Sequence, residues 1–264
     1  MRIDVVSDLH FDFYNIDALG FVREILPKNQ SDVLLIAGDL GHHNEQNAEV
    51  LRVLREIGGY SHILVVIGNH DLYIPPRAFA NSWERLAEMQ AMIVGIPGVR
   101  ILDGDVVEIG GVRFGGAPMW YDLSFGRGLG LSTEALLDLW RRTNNDANFI
   151  LWGAKPMDAF LEEQRQRLRA IVDKVDVMLT HVGPDWRQAE GRYLQDPTTA
   201  FFFFDGQEEL ERFRGTWVFG HTHARSEATI GGCRLLNAAL GYPWEIGDRR
   251  IVTTEVEPRD QRSA

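Results

Sequence analysis

Four short polar clusters, each closing an apolar run, carry the chemistry of this chain: Asp8-Leu9-His10, Gly38-Asp39, Gly68-Asn69-His70-Asp71 and Gly220-His221-Thr222-His223. A fifth, Thr180-His181, lies between the third and the fourth. Asp8, His10, Asp39, Asn69, His181, His221 and His223 are candidate metal donors, and His70 is left over beside them. Mixed imidazole and oxygen ligation without thiolate suits Mn²⁺, Fe, Zn²⁺, Co²⁺ or Ni²⁺ and disfavours a pure Mg²⁺ or Ca²⁺ site. Asp8 and His10 are two apart, as are His221 and His223, and in an extended segment such pairs point the same way. Gly38 has no Cβ, so the chain can turn sharply into Asp39, whose two carboxylate oxygens can bridge two cations. The chemistry implied is metal-assisted hydrolysis of a phosphate ester.

The clusters need a frame that brings them to one place. Ile3 to Val6, Val33 to Ala37 and Ile63 to Ile67 read as buried strands, separated by helices over Asp17 to Leu26 and Glu45 to Ile57. The first helix has helical spacing at Leu19, Val22 and Leu26; the second has Val50, Leu51, Leu54 and Ile57 on one side. Alternation of this kind is the signature of a doubly covered α/β arrangement. Further on come a helix at Trp83 to Met92 and a hairpin around Gly110-Gly111. An aromatic-rich insertion at about 117–155 surrounds a helix at Thr133 to Arg142. A long helix at Met157 to Val172 leads to a strand at Val175 to Leu179. Residues 182–206 read as loop, Trp217 to Phe219 as a strand, and Ala228 to Val256 as β-structure. Every cluster thus follows the carboxyl end of an apolar strand, the edge where open α/β sheets bind ligands.

The bulk properties narrow the function. A formal charge of −11 over 264 residues opposes a surface built to grip nucleic acid, although bound cations can reverse the local field at a phosphate site. The single cysteine, Cys233, reads as a small buried hydrophobe and precludes an intramolecular disulfide, which fits a reducing compartment. The N-terminus enters a strand without a signal-peptide pattern, and no apolar stretch approaches a membrane span. A cytoplasmic protein with no membrane partner is expected.

At these residues the sequence resembles the calcineurin-like metallophosphoesterases, whose blocks run Asp-x-His, Gly-Asp, Gly-Asn-His-Asp/Glu, a single His after a strand, then Gly-His-x-His. All five are present in order between residues 8 and 223. The resemblance implies a four-layer αββα sandwich of two mixed β-sheets flanked by helices, spanning residues 1–257 as one domain. Rim insertions would lie at about 117–155 and 182–206, with a frayed tail at 258–264. It implies two divalent metal ions, Mn²⁺ first. Asp8, His10, Asp39 and His223 would hold one; Asp39, Asn69, His181 and His221 the other. It makes His70 the general acid and gives Asp71 a supporting role, orienting an imidazole. Two such cations share a water and lower its pKa from 15.7 towards ~7, so that a bridging hydroxide attacks phosphorus.

The implied activity is a phosphodiesterase on a small or nucleotide-like ester. A phosphomonoesterase or protein phosphatase is the alternative, and a non-catalytic scaffold with the same fold is the rival of another class. Several residues stay open. His62 reads as structural. His42 and His43, close after Asp39, either reach the site or face solvent, and Asp12 either supports the site, caps a helix or is solvated at the surface. Trp120, Tyr121 and Phe125 either pack the insertion or wall a substrate pocket. Arg127, Arg141, Arg142, Arg187 and Arg192 are possible phosphate contacts. Phe201 to Phe204 demand cover, from a docked lid or an oligomer interface; the oligomeric state is not legible.

Overall fold

A computed structural model describes residues 1–74, 79–245, 247 and 250–258. The tail expected to fray therefore lies, beyond residue 258, outside the described residues.

Two mixed sheets stack face to face. The first has the order β11-β1-β2-β3-β4, from β1 (Arg2–Val6), β2 (Val33–Ala37), β3 (His62–Val66), β4 (Val99–Ile101) and β11 (Val252–Glu255). Its members from β1 to β4 are parallel, and β11 runs antiparallel on β1. The second has the order β5-β6-β7-β8-β10-β9, from β5 (Asp105–Ile109), β6 (Val112–Gly116), β7 (Val177–Leu179), β8 (Thr216–Phe219), β9 (Ser226–Ile230) and β10 (Cys233–Asn237). Here β6, β7, β8 and β10 are parallel, with the antiparallel hairpin partners β5 and β9 at the edges.

Strand side chains alternate between faces, so each central strand fills two cores. Ile3, Val5, Val33, Leu35, Leu64 and Val66 face the second sheet and meet Phe114, Val177, Leu179 and Val218 there. Val6, Leu34, Ile36, Ile63 and Val65 point the other way, into the core shared with the helices. Asp4 is the polar exception in β1. Its buried carboxylate accepts hydrogen bonds from the Tyr60 hydroxyl at 2.8 Å, the Thr253 hydroxyl at 2.7 Å and the Ser31 backbone N–H at 3.1 Å.

Helices α1 (Ala18–Ile25), α2 (Asn44–Glu56) and α3 (Ser82–Val94) lie together on the first sheet. Asp17 caps α1 by accepting from Gly20 N–H at 2.7 Å, and Asn81 caps α3. The insertion holds α4 (Ser124–Gly128), α5 (Thr133–Thr143) and α6 (Asp146–Phe149); α7 (Met157–Ile171) packs on β6, and α8 (Gln207–Arg212) precedes β8. Residues 182–206 form a loop threaded with short 3₁₀ turns.

Two helix faces differ from expectation. In α1 the buried residues are Ala18, Phe21, Val22 and Ile25, an i, i+3, i+4, i+7 stripe that leaves Leu19 and Leu26 at its margin, only half-buried. In α2 Val50, Leu51 and Leu54 are buried as expected, yet Ile57 is 51% exposed, because the helix ends at Glu56 and Ile57 serves as its C-cap. The three-residue strand β4 was too short to show a period. The lone thiol of Cys233 is buried in β10, as read. Leu51→Ala should cost about 2–5 kcal/mol in a urea denaturation series, whereas Ile57→Ala should stay within about 0.5 kcal/mol of the parent. Equal losses would contradict the observed helix face.

Candidate metal centre

Adjacent parallel strands end level with one another, so β1, β2 and β3 deliver Asp8, Asp39 and Asn69 to one edge. Strands β7 and β8 deliver His181 and His221 from the facing sheet. The two edges are pinned together by the site residues themselves. The Asp8 carboxylate accepts from His221 N–H at 3.0 and 3.1 Å, and His181 Nδ1 lies 2.8 Å from the Ala37 carbonyl.

The two-apart pairs do not converge by extension. Asp8 (φ 55°), His10 (φ 42°), Asp39 (φ 58°), His221 (φ 68°) and His223 (φ 49°) are all left-handed, a conformation costing on the order of 1–2 kcal/mol per non-glycine residue. The side chains gather because the backbone curls after each strand, and the expectation of an extended segment is corrected. Gly38 makes this turn at φ 88°, and a Cβ there would sit 2.5 Å from His181 Nδ1.

Two buried side chains hold the curled loops. Asp71 accepts from the backbone N–H groups of Gly68 at 2.8 Å, Asp39 at 3.0 Å and Leu40 at 3.0 Å. Its hydrogen bonds thus go to the loop backbone, not to an imidazole, which corrects the role expected for it. Arg85 does the converse, donating to the carbonyls of His70 at 2.7 Å, Tyr73 at 2.6 Å and Gly41 at 2.7 Å. Nothing in the spacing of Arg85 within α3 marked it out.

The seven expected donors meet. Donor atoms of Asp8, His10 and His223 lie within 4.8 Å of one another, as do those of Asp39, His181 and His221. His10, Asp39 and His70 form a third such group, so Asp39 joins both halves. Asp39 Oδ1 is 3.5 Å from His181 Nε2, and its Oδ2 is 3.7 Å from His10 Nε2. Asn69 Oδ1 is 2.9 Å from His181 Nε2.

Hydrogen-bond polarity shows what fits between them. A carbonyl or carboxylate only accepts, so a ring nitrogen beside one carries the proton and the other nitrogen carries the lone pair. The Ala37 carbonyl fixes the His181 proton on Nδ1, and the Phe201 carbonyl, 2.9 Å from His221 Nε2, fixes that ring's proton there. Glu245, 3.0 Å from His223 Nδ1, does the same for His223. Each ring therefore turns a lone pair inward. His181 Nε2 then faces the Asn69 oxygen as acceptor against acceptor, and the Nε2 atoms of His10 and His223 meet at 2.9 Å, a pair that one shared proton or a cation can join. Cations suit this donor set; further hydrogen-bond acceptors do not. The outer partners Glu245 and Phe201 had no sequence signal, since only the fold brings them here.

The charges agree. Burial, reinforced by Asp8 and Asp71, raises the Asp39 carboxyl well above its ordinary range. Burial pushes His10 down to about 3 and His221 to about 4, with neighbouring imidazoles adding to the effect. His70 is lowered by burial and by the rings of His10, His42, His181 and His221.

His70 Nδ1 lies 2.8 Å from His42 Nε2, and His42 Nδ1 lies 2.6 Å from the Asp12 carboxylate. His42 and Asp12 thus reach the site, while His43 and His62 are exposed. Trp120, Tyr121, Phe125 and Trp140 are buried, so the aromatic insertion packs as structure. Phe201, Phe203 and Phe204 are buried within this chain, which supplies the cover they demanded. Phe202 is 37% exposed and rests on the His221 ring at 5.1 Å. Arg127, Arg141, Arg187 and Arg192 bind acidic or polar neighbours, and Arg142 bonds the Asp138 carbonyl; none lines the cavity at the site.

Comparison with known proteins follows from this geometry. The family described as calcineurin-like phosphoesterase matches residues 1–225. The chain belongs to that family. Membership makes it a metal-dependent phosphoric ester hydrolase, of a family that uses divalent metals and acts on phosphate esters. It is similar to an uncharacterised protein of Acanthamoeba polyphaga mimivirus, 23% identical, with 91% of each chain covered. Among solved structures it resembles the phosphopantetheinyl hydrolase of Mycobacterium tuberculosis, at TM-score 0.76 and 20% identity, covering 95% of each chain. That likeness confirms the expected fold of two mixed sheets flanked by helices. No helix among the described residues is long and apolar enough to cross a membrane.

Acid should destabilise the metal-stripped protein. His10, His70, His181 and His221 are held neutral below 6.5 in the fold but take up protons when unfolded, so each loses stability as pH falls from 6.5. Asp39 and Asp71, raised above 3.8, act in the opposite sense and are outnumbered; His223, raised above 6.5, matters only at higher pH. The unfolding free energy of chelator-treated protein, from urea denaturation, should therefore fall between pH 6.5 and about 4, by about 1.4 kcal/mol per pH unit for each unbalanced proton. A flat profile would contradict this charge arrangement.

Proposed function

We propose a two-metal phosphodiesterase acting on a small or nucleotide-like ester. The observation that carries this reading is the convergence of possible ligand atoms from Asp8, His10, Asp39, Asn69, His181, His221 and His223, with Asp39 shared between the two halves. Asp8, His10, Asp39 and His223 would hold one ion, and Asp39, Asn69, His181 and His221 the other, Mn²⁺ being the first choice. When bound, the pair supplies a nucleophilic hydroxide at neutral pH and neutralises charge on the phosphoryl oxygens.

The protein's own groups do the rest. Above the donors lies a cavity of about 420 Å³, within the range for small ligands. Its described lining includes Tyr73, Asn144, Asn145, Phe202, Tyr242 and Glu245 but no Lys or Arg. Among the described lining residues a monoester dianion would meet no side-chain cation; a diester carries one charge and two organic arms that the aromatic and amide walls can contact. This favours the diester. The likeness in fold to a phosphopantetheinyl hydrolase adds phosphopantetheinyl esters to the substrates worth testing.

We read His70 as the group that would protonate the leaving group. Asp12 fixes the His42 proton on Nδ1, so His42 Nε2 accepts from His70 Nδ1, and His70 Nε2 would serve as the acid only after the ring takes up a second proton there. That nitrogen faces the Tyr242 hydroxyl at 3.3 Å. Burial holds the ring neutral, and an anionic ester beside it favours the charged form. The insertions at 117–155 and 182–206 form the rim of what we read as one domain over residues 1–257. With one buried cysteine and no intramolecular disulfide, we place the protein in the cytoplasm.

With Mn²⁺ added, bis-p-nitrophenyl phosphate should be hydrolysed faster than p-nitrophenyl phosphate, and Asp39→Ala should abolish both activities. A faster monoester would make the protein a phosphomonoesterase; metal-dependent turnover of neither would favour the scaffold. His70→Asn should lower kcat on an alkyl diester by about 10²–10⁴-fold yet spare the p-nitrophenyl ester, whose leaving group needs little protonation. Equal losses on both would remove the general-acid role.

A further inference from the structure

Asp146 opens α6 in the rim insertion, far from every metal-type motif in the sequence, yet it is fully buried against the site. Its carboxylate accepts from the Asn69 amide at 2.8 Å, the Tyr73 hydroxyl at 2.6 Å and the Tyr121 hydroxyl at 2.8 Å. The direction of these bonds is fixed from the far end. The Trp140 indole N–H can only donate, and it donates to the Tyr121 oxygen at 2.5 Å, so the single Tyr121 proton must go to Asp146 Oδ2. At Asp146 Oδ1 the Asn69 side chain must present its NH₂, because its oxygen there would meet a carboxylate oxygen. The same NH₂ reaches the Tyr73 oxygen at 3.3 Å. With nitrogen committed outward, the Asn69 oxygen has one direction left, towards His181 Nε2 at 2.9 Å.

We infer that Asp146 is a positioning residue for the second metal ion, locking the Asn69 amide with its oxygen turned to the site. The chain Trp140–Tyr121–Asp146–Asn69 transmits hydrogen-bond polarity from the rim insertion to the centre. This rests on the two-ion reading above, and it gives the insertion a task beyond packing. It also makes a distinctive prediction about exchanging the amide and the carboxylate. In Asp146→Asn the new amide must offer its oxygen to Tyr121, so its NH₂ confronts Asn69. Asn69 then flips and turns NH₂ towards the ion. Exchanging both groups, Asp146→Asn with Asn69→Asp, restores donor to acceptor and returns an oxygen to the site.

The test is Mn²⁺ binding to the full chain by equilibrium dialysis, with electron paramagnetic resonance to distinguish coupled from isolated ions. Folding of each variant is checked by circular dichroism of the metal-free form. The parent should bind two ions. Asp146→Asn should bind the second about 10–100-fold more weakly and show the isolated-ion spectrum, whereas the double variant should regain two coupled ions. A folded Asp146→Asn with both ions at parental affinity overturns this inference alone. A parent that binds only one ion overturns the two-ion reading and this inference with it. If the single variant does not fold, the double variant decides: limited to one ion, it overturns the inference.

Discussion

A crevice between two sheet edges filled with inward-facing lone pairs is the constraint on which the rest of this structure depends. Buried acceptors facing one another are costly, and buried carboxylates more so. The fold nevertheless concentrates them, since Asp8 crosses to His221 and His181 crosses to Ala37, stapling the two sheets at the very edge where the donors gather. The same bonds that join the sheets use up the outward-facing protons and leave the inward positions bare. Stability and chemistry are coupled at this edge, and a cation satisfies both.

Holding such a cluster requires backbone that does not relax. Five of the converging residues occupy left-handed geometry without being glycine, a concentration characteristic of sites where surrounding contacts over-determine the chain. Here the contacts are complementary. The Asp71 carboxylate collects backbone N–H groups, and the Arg85 guanidinium collects carbonyls from the same loops. One buried ion of each sign thereby fixes the turns after β2 and β3.

The periphery reaches inward in a similar way. The Phe201 carbonyl from the 182–206 loop fixes the His221 tautomer, Glu245 fixes His223, and Asp146 from the aromatic insertion meets Asn69. Each of these segments also borders the cavity. On the proposed reading, the parts of the chain that select the substrate are those that orient the metal donors, so changes in one are felt in the other.

The sequence alone was enough for the central strands, the edge at which they end and the candidate donors. Apolar runs such as Val33 to Ala37 have the pattern of strands covered on both faces, and Asp8, His10, Asp39, Asn69, His181, His221 and His223 follow such runs at short distances. Local spacing carries that information because a strand end and its next few residues move as one unit. What only the tertiary structure decided are the relations between segments distant along the chain. Left-handed turns replaced the extended pairs that a period of two suggested for Asp8 and His10. Asp71 turned out to serve the loop backbone, and His42 with Asp12 came to bear on His70. Glu245, Arg85 and Asp146 stand in no motif; they matter through hydrogen bonds to partners distant along the chain, at separations of 22 positions for Glu245, 15 and 44 for Arg85 and 77 for Asp146. Hydrogen-bond polarity is a property of the assembled network, and no stretch of sequence contains it.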